Sequence, residues 1–185
     1  MRKSFGAKPI IYPQPVYIIG SYDKDGNADA MNAAWGGLSE ADEISICLSA
    51  GHKTVKNILE SGAFSISMAT ADTVVQCDYV GMVSANDTPD KLARAGFHVE
   101  KCENVNAPMF AELPMVIECR LKSYDADSCR MVGEIVNVCA DESILTDGAI
   151  DPAKLRPITF DAANHAYLVL GEKVGNAFAD GAVLK

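Results

Sequence analysis

Along most of this chain apolar and polar positions alternate with a period of two, and turn-forming residues interrupt the alternation at short intervals. That period marks half-buried strands. Val16 to Ser21 and Ala28 to Trp35 read as strands flanking the turn Asp23-Lys24-Asp25-Gly26-Asn27. Asp-Gly supplies the positive φ that a tight hairpin requires. Gly36-Gly37 is expected to break or bulge the second strand. From Glu43 to Ser49, Ile44, Ile46 and Leu48 share one face, while Ser45 and Cys47 share the other. Phe64, Ile66 and Met68 repeat the pattern. Met115 to Tyr124 and Ser128 to Cys139 predict two longer strands, the second bent at Gly133. Ile158 to Phe160 and Ala166 to Leu170 read as closing strands.

Helical stretches are few and short. Thr54 to Ser61 predicts a helix closed by Gly62. A second is expected from Thr73 to Val80, capped by Asp72 and followed by Gly81. A third is expected over Asp87 to Ala95, with Pro89 in its first turn and Gly96 at its exit. Asp151 to Leu155 looks like one turn. Seven or eight strands without regular βαβ alternation predict a mainly β fold, an antiparallel barrel with short helices.

At 185 residues the chain is read as one domain, with residues 1–14 as an extended N-terminal arm held straight by Pro9 and Pro13. The formal net charge of −9 argues against nucleic acid as a partner and against an anionic membrane surface. No apolar run approaches the ~20 residues that span a bilayer. The basic, proline-broken start does not resemble a secretory signal. These features are read as cytoplasmic. None of the six cysteines forms a CxxC pair or has a histidine at zinc-finger spacing, so no metal site is expected. The cysteines read as reduced, small apolar residues.

Chemistry is concentrated in Met31 to Asn57. In Asn32-Ala33-Ala34-Trp35 the alanines let a flat ring approach the backbone, and Asn32 both donates and accepts hydrogen bonds. Trp35 flanks such a ring or fills the core. Ser49-Ala50-Gly51-His52-Lys53-Thr54 follows a strand and opens a helix, offering amides, hydroxyls and a cation to an anion. An ordinary capped helix with Lys53 in solvent fits the same residues. Ser84, in a turn-rich loop, and Tyr167, following His165, are further candidates. There is no GxGxxG, Walker or GxSxG motif, and no catalytic residue is assigned.

The order of these pieces resembles the flavin reductase-like family of FMN-binding split barrels, within it the flavoredoxin-like branch. The resemblance runs from about Pro15 to Gly171. It is carried by Pro15-Val16, Asp25-Gly26, Asn32 to Trp35, Ser49 to Ile58, Ser61 to Phe64, Asp78 to Gly81 with Ser84, Asp90-Lys91, Ala107-Pro108, Glu118 to Arg120 and Gly133 to Val136. It implies an antiparallel split barrel of Greek-key type and a homodimer holding non-covalent FMN near the subunit interface. The ring would lie along Asn32, Ala33, Ala34 and Trp35. The phosphate would meet Ser49, His52, Lys53 and Thr54, with Ser84 approaching from its loop and Tyr167 bordering the ring. NADH or NADPH would be the electron donor of a flavin or ferric reductase; a flavoredoxin-type carrier would exchange electrons with a small-molecule or protein partner without nicotinamide. A ligand-binding barrel that has lost flavin is a third possibility. The chain departs from the family at His52-Lys53, where an arginine is common, and at Leu92, where phenylalanine is common.

Overall fold

The computed structural model describes residues 1–185. Seven strands form one antiparallel sheet: β1 (Tyr17–Tyr22), β2 (Ala28–Ala33), β3 (Gly36–Glu40), β4 (Glu43–Cys47), β5 (Ala63–Met68), β8 (Met115–Asp125) and β9 (Arg130–Ala140). Three two-stranded ribbons complete the set. They are β6 (Val99–Lys101) with β7 (Pro108–Phe110), β10 (Leu145–Thr146) with β11 (Ala149–Ile150), and β12 (Ile158–Asp161) with β13 (Ala166–Val169). The helices are α1 (Lys53–Ser61), α2 (Val74–Met82), α3 (Lys91–Ala95) and α4 (Pro152–Leu155). None is long and apolar enough to cross a membrane.

The main sheet runs β2-β1-β5-β8-β9-β4-β3. Its two edge strands, β2 and β3, are consecutive in the chain, so Ala34 and Trp35 step directly from one edge to the other. The sheet therefore curls into a barrel whose seam opens between β2 and β3. Its interior is filled from all sides by Tyr17, Ile19, Ile44, Ile46, Phe64 and Ile66 among others, with Val55 and Ile58 of α1 joining them. Gly133 leaves room for this core: a Cβ there would lie 2.4 Å from Phe64 Cζ, below any real contact.

A second core lies outside the barrel. Val16, just before β1, and Ile18 within it turn outward against Ala30, Cys77, Val80, Leu92, Phe97 and Phe110. Strand β1 is thus buried on both faces, which explains the apolar run Val16 to Ile19 at its start. The core clamps α2 and α3 beside the edge strand β2. Gly81, which belongs to α2 rather than following it, allows this approach, because a Cβ there would meet Asn32 Cβ at 2.7 Å.

Several expectations need correction. Gly36 and Gly37 open the edge strand β3, with an irregularity at Leu38 to Glu40, so the chain continues as a strand past them. Asp72 does not cap α2; a 3-10 turn over Ala71–Thr73 precedes it, closed by a reciprocal Thr70–Thr73 capping box. The third helix keeps only Lys91–Ala95, and residues 85–90 form turns. β12 and β13 pair with each other rather than joining the main sheet. Cys129 sits in the turn before β9 with φ 58°.

Candidate functional site

The start of α1 and the loop after α2 converge on one end of β2. There His52, Lys53, Thr54 and Ser84 line a hollow of about 180 Å³ together with Asp29, Met31, Gly81 and Lys91. The sequence spaces these groups over sixty residues. The second core brings them together by fixing α2 and α3 against β2.

The polar floor of this hollow is buried. Thr54 donates its hydroxyl hydrogen bond to Asp29 Oδ2 at 2.6 Å, and Lys91 Nζ lies 3.0 Å from Asp29 Oδ1. Lys91 also reaches the carbonyls of Val83 at 3.3 Å and Val80 at 3.5 Å. Asp29, Thr54 and Lys91 are all more than nine-tenths buried. Asp29 Oδ1 has no well-aligned hydrogen-bond donor, so its contact with Lys91 is held by charge alone. At the rim, Lys53 Nζ meets Asp23 Oδ2 at 3.1 Å. Burial works against the charge on Asp23, but hydrogen bonds from Asn27, Lys53 and the Asp25 amide outweigh it and bring its carboxyl down to about 2.

The remaining predicted residues lie along or beside the same edge. Ala33 points into the barrel core. Asn32 Nδ2 donates to the Cys77 carbonyl at 3.1 Å, tying β2 to α2. Ala34 and Trp35 line a groove of about 700 Å³ between the N-terminal arm and β4, where Trp35 remains 57% exposed. Gln14 closes the floor of that groove; its Nε2 donates to the Ala34 carbonyl at 3.2 Å, while its buried Oε1 has no partner. Tyr167 faces an apolar hollow with Val74, Val75, Tyr79 and Met82, and donates to Asp78 Oδ1 at 2.7 Å. Burial and that carboxylate push its phenol up to about 12. Ser49 is exposed; its carbonyl accepts from the His52 amide at 3.1 Å, and its side chain lines neither the hollow nor the groove.

Asp23, Asp29 and Gln14 are additions that sequence reasoning did not single out, and Lys91 entered only as half of an Asp-Lys pair. A lysine in a polar stretch carries no local sign of burial. Asp29 breaks the apolar pattern of β2, which is the one signal available.

A family model described as the flavin reductase like domain matches residues 10–155. The chain belongs to the flavin reductase-like family. Membership ties it to flavin-related redox chemistry. Among solved structures, flavoredoxin of Desulfovibrio vulgaris (Miyazaki F) is 36% identical with a TM-score of 0.93, covering 98% of this chain and 100% of that one. A flavoredoxin from Methanosarcina acetivorans is 27% identical with a TM-score of 0.90, covering 100% of both chains. An uncharacterised protein of Aeropyrum pernix is 25% identical over 114 residues, which are 60% of this chain but only 43% of that longer protein. The split barrel expected from the sequence is thus the fold of this flavin reductase-like family member.

The residues present suit a phosphorylated flat ligand. The hollow offers two lysines, a hydroxyl and a helix N-terminus at one end. The alanine-rich edge of β2 leads from it toward Trp35, and the outer backbone groups of an edge strand have no neighbouring strand.

Proposed function

We propose that this protein is an FMN-binding redox protein. In this reading the phosphate sits in the hollow of His52, Lys53, Thr54, Ser84 and Lys91, and the ring lies along Asn32 to Trp35. The observation that carries it is the convergence of Lys53 and the N-terminus of α1 with Ser84 on one hollow beside the edge strand β2. Free amides and a cation at a helix start favour an anion. Bound FMN would supply hydride and electron transfer; the chain holds it, orients it and shields it from water. Lys53 and the α1 amides would orient the phosphate above the floor that Thr54 and Asp29 form, and Tyr167, a neutral hydroxyl well above neutral pH, would border the ring without adding charge.

The reading taken first is an NAD(P)H-dependent flavin or ferric reductase. A flavoredoxin-type electron carrier is the second, and the likeness to two flavoredoxins favours it. The visible spectrum of the purified protein tests the cofactor: flavin absorbance bands are expected, and a colourless protein that fails to take up FMN would sink the reading. Stopped-flow mixing with NADH and NADPH separates the two roles. Bleaching within seconds marks the reductase; its absence marks the carrier.

The same reading includes a homodimer with the flavin near the interface. Exposed apolar residues at the two ends of the chain, Phe5, Ile11, Leu168, Val174 and Phe178, support a partner surface. Light scattering after gel filtration should give twice the chain mass. Six free cysteines support a reducing compartment, read as the cytoplasm.

A further inference from the structure

The hollow at the start of α1 is nearly neutral before any ligand arrives. Its two lysines each face a carboxylate: Lys91 meets Asp29 at 3.0 Å, and Lys53 meets Asp23 at 3.1 Å. The two pairs differ in kind. Asp29 and Lys91 are 1% and 3% exposed and further bound to Thr54, Val80 and Val83, so they form a fixed floor. Lys53 and Asp23 are 26% and 13% exposed at the rim. Asp23 is anchored without its lysine, because it accepts from the Asp25 amide at 3.0 Å, the Asn27 amide at 2.8 Å and Asn27 Nδ2 at 3.2 Å. Lys53 is therefore free to turn away while Asp23 stays in the hairpin.

We propose that Asp23 sets the affinity of this site by competing with the ligand phosphate for Lys53. The proposal rests on the hollow being the phosphate site and adds a specificity-determining residue to it. Binding exchanges one ion pair for another at Lys53, and the abandoned Asp23 carboxylate opposes the incoming dianion across the rim. A resident phosphate is thereby held less tightly than two lysines and a helix start would otherwise hold it, which suits a ligand that exchanges.

The test is a fluorescence titration of flavin-free protein with FMN and with riboflavin, which shares the ring but lacks the phosphate. Asp23→Asn removes the charge and keeps an oxygen that accepts from the Asp25 and Asn27 amides; Asp23→Ser does the same with a hydroxyl. Both should tighten FMN by about three- to tenfold at low ionic strength, on the scale of an exposed ion pair plus a relieved repulsion. The gain should shrink near 1 M salt, where screening acts within ~3 Å. Riboflavin should be unaffected, and the gain should vanish in a Lys53→Ala background. Unchanged or weaker FMN binding in both variants would overturn the proposal, as would an equal gain without Lys53. If the wild type binds riboflavin as well as FMN, the phosphate reading itself fails, independently of Asp23.

Discussion

Lys91 Nζ lies 3.0 Å from Asp29 Oδ1, and the two side chains retain only 3% and 1% of their exposure. A buried ion pair contributes little net stability, but removing one partner strands a charge. Lys91→Met should therefore cost about 3–5 kcal/mol in urea unfolding. Asp29→Asn added to it should restore part of that loss, because the stranded carboxylate is gone. A Lys91→Met variant as stable as the parent would show that the pair is not held in the folded protein.

Lys53, by its charge at the rim, and Thr54, by fixing Asp29 in the floor, should distinguish FMN from riboflavin. A hydrogen bond to a charged group contributes about 1.5–3 kcal/mol. The double variant Lys53→Ala/Thr54→Ala should weaken FMN roughly tenfold to a hundredfold and leave riboflavin close to its parent value, measured by fluorescence quenching. Unchanged FMN affinity would refute the phosphate site.

Glu118 should give the fold an acid-sensitive limb. It is 1% exposed in β8 and accepts from the Asn104 amide at 2.7 Å, Asn104 Nδ2 at 3.1 Å and Asn137 Nδ2 at 2.8 Å. Burial opposes its charge, but these donors outweigh burial and hold its carboxyl below the usual 4.5. A depressed carboxylate contributes stability that is complete above the unfolded value and is lost as pH falls through the folded one. Urea midpoints should decline below about pH 4.5, and Glu118→Gln should flatten that decline while lowering stability near neutrality by about 1–3 kcal/mol. A parallel pH profile for the variant would count against this role.

The cysteines should divide by reactivity. Burial pushes the thiols of Cys102 and Cys119 up to about 12 and that of Cys77 to about 11, whereas Cys47 is exposed at the end of β4. The thiolate is the reactive form. A colorimetric thiol titration of the native protein at pH 8 should label Cys47 first and reach Cys77, Cys102 and Cys119 only in denaturant, with peptide mapping as the readout. Early labelling of Cys119 would contradict its burial.

Tyr167→Phe should break the 2.7 Å hydrogen bond to Asp78 and loosen α2 from β13. The loss should be about 0.5–1.5 kcal/mol in thermal or urea unfolding. Because the folded phenol ionises near 12, the parent should also lose stability between about pH 10 and 12, where the unfolded tyrosine is already charged and the folded one is not. The variant should lack that alkaline decline.

The strands with clean alternation were legible because one face of each is buried: Ile44, Ile46 and Leu48 fill the barrel as their spacing requires. The first helix was legible from local chemistry, its start read at Thr54 against Lys53 in the structure and its exit at Gly62. Strand β3 was not, because Gly36 to Glu40 is an edge with no buried alternate face to impose a pattern. The 3-10 turn ahead of α2, closed by Thr70 and Thr73, was hidden because either Thr70 or Asp72 satisfies the same local rule, and only the three-dimensional path of the backbone selects one.

A mainly β chain of hairpins, a helix start furnished for an anion beside a small-residue strand, and the order of pieces that marks the family are all readable along the chain. Those are local or linear properties, carried by side-chain period, turn chemistry and spacing. The folded chain was needed to show that Lys91 is buried against Asp29, that Asp23 in the β1–β2 turn reaches Lys53 at the start of α1, and that Tyr167 bonds Asp78. Such pairings depend on how the second core sets α2 and α3 against the barrel edge. A charged residue in sequence carries no record of whether water or a counter-ion will surround it; burial in the folded chain excludes the water and makes the partner obligatory.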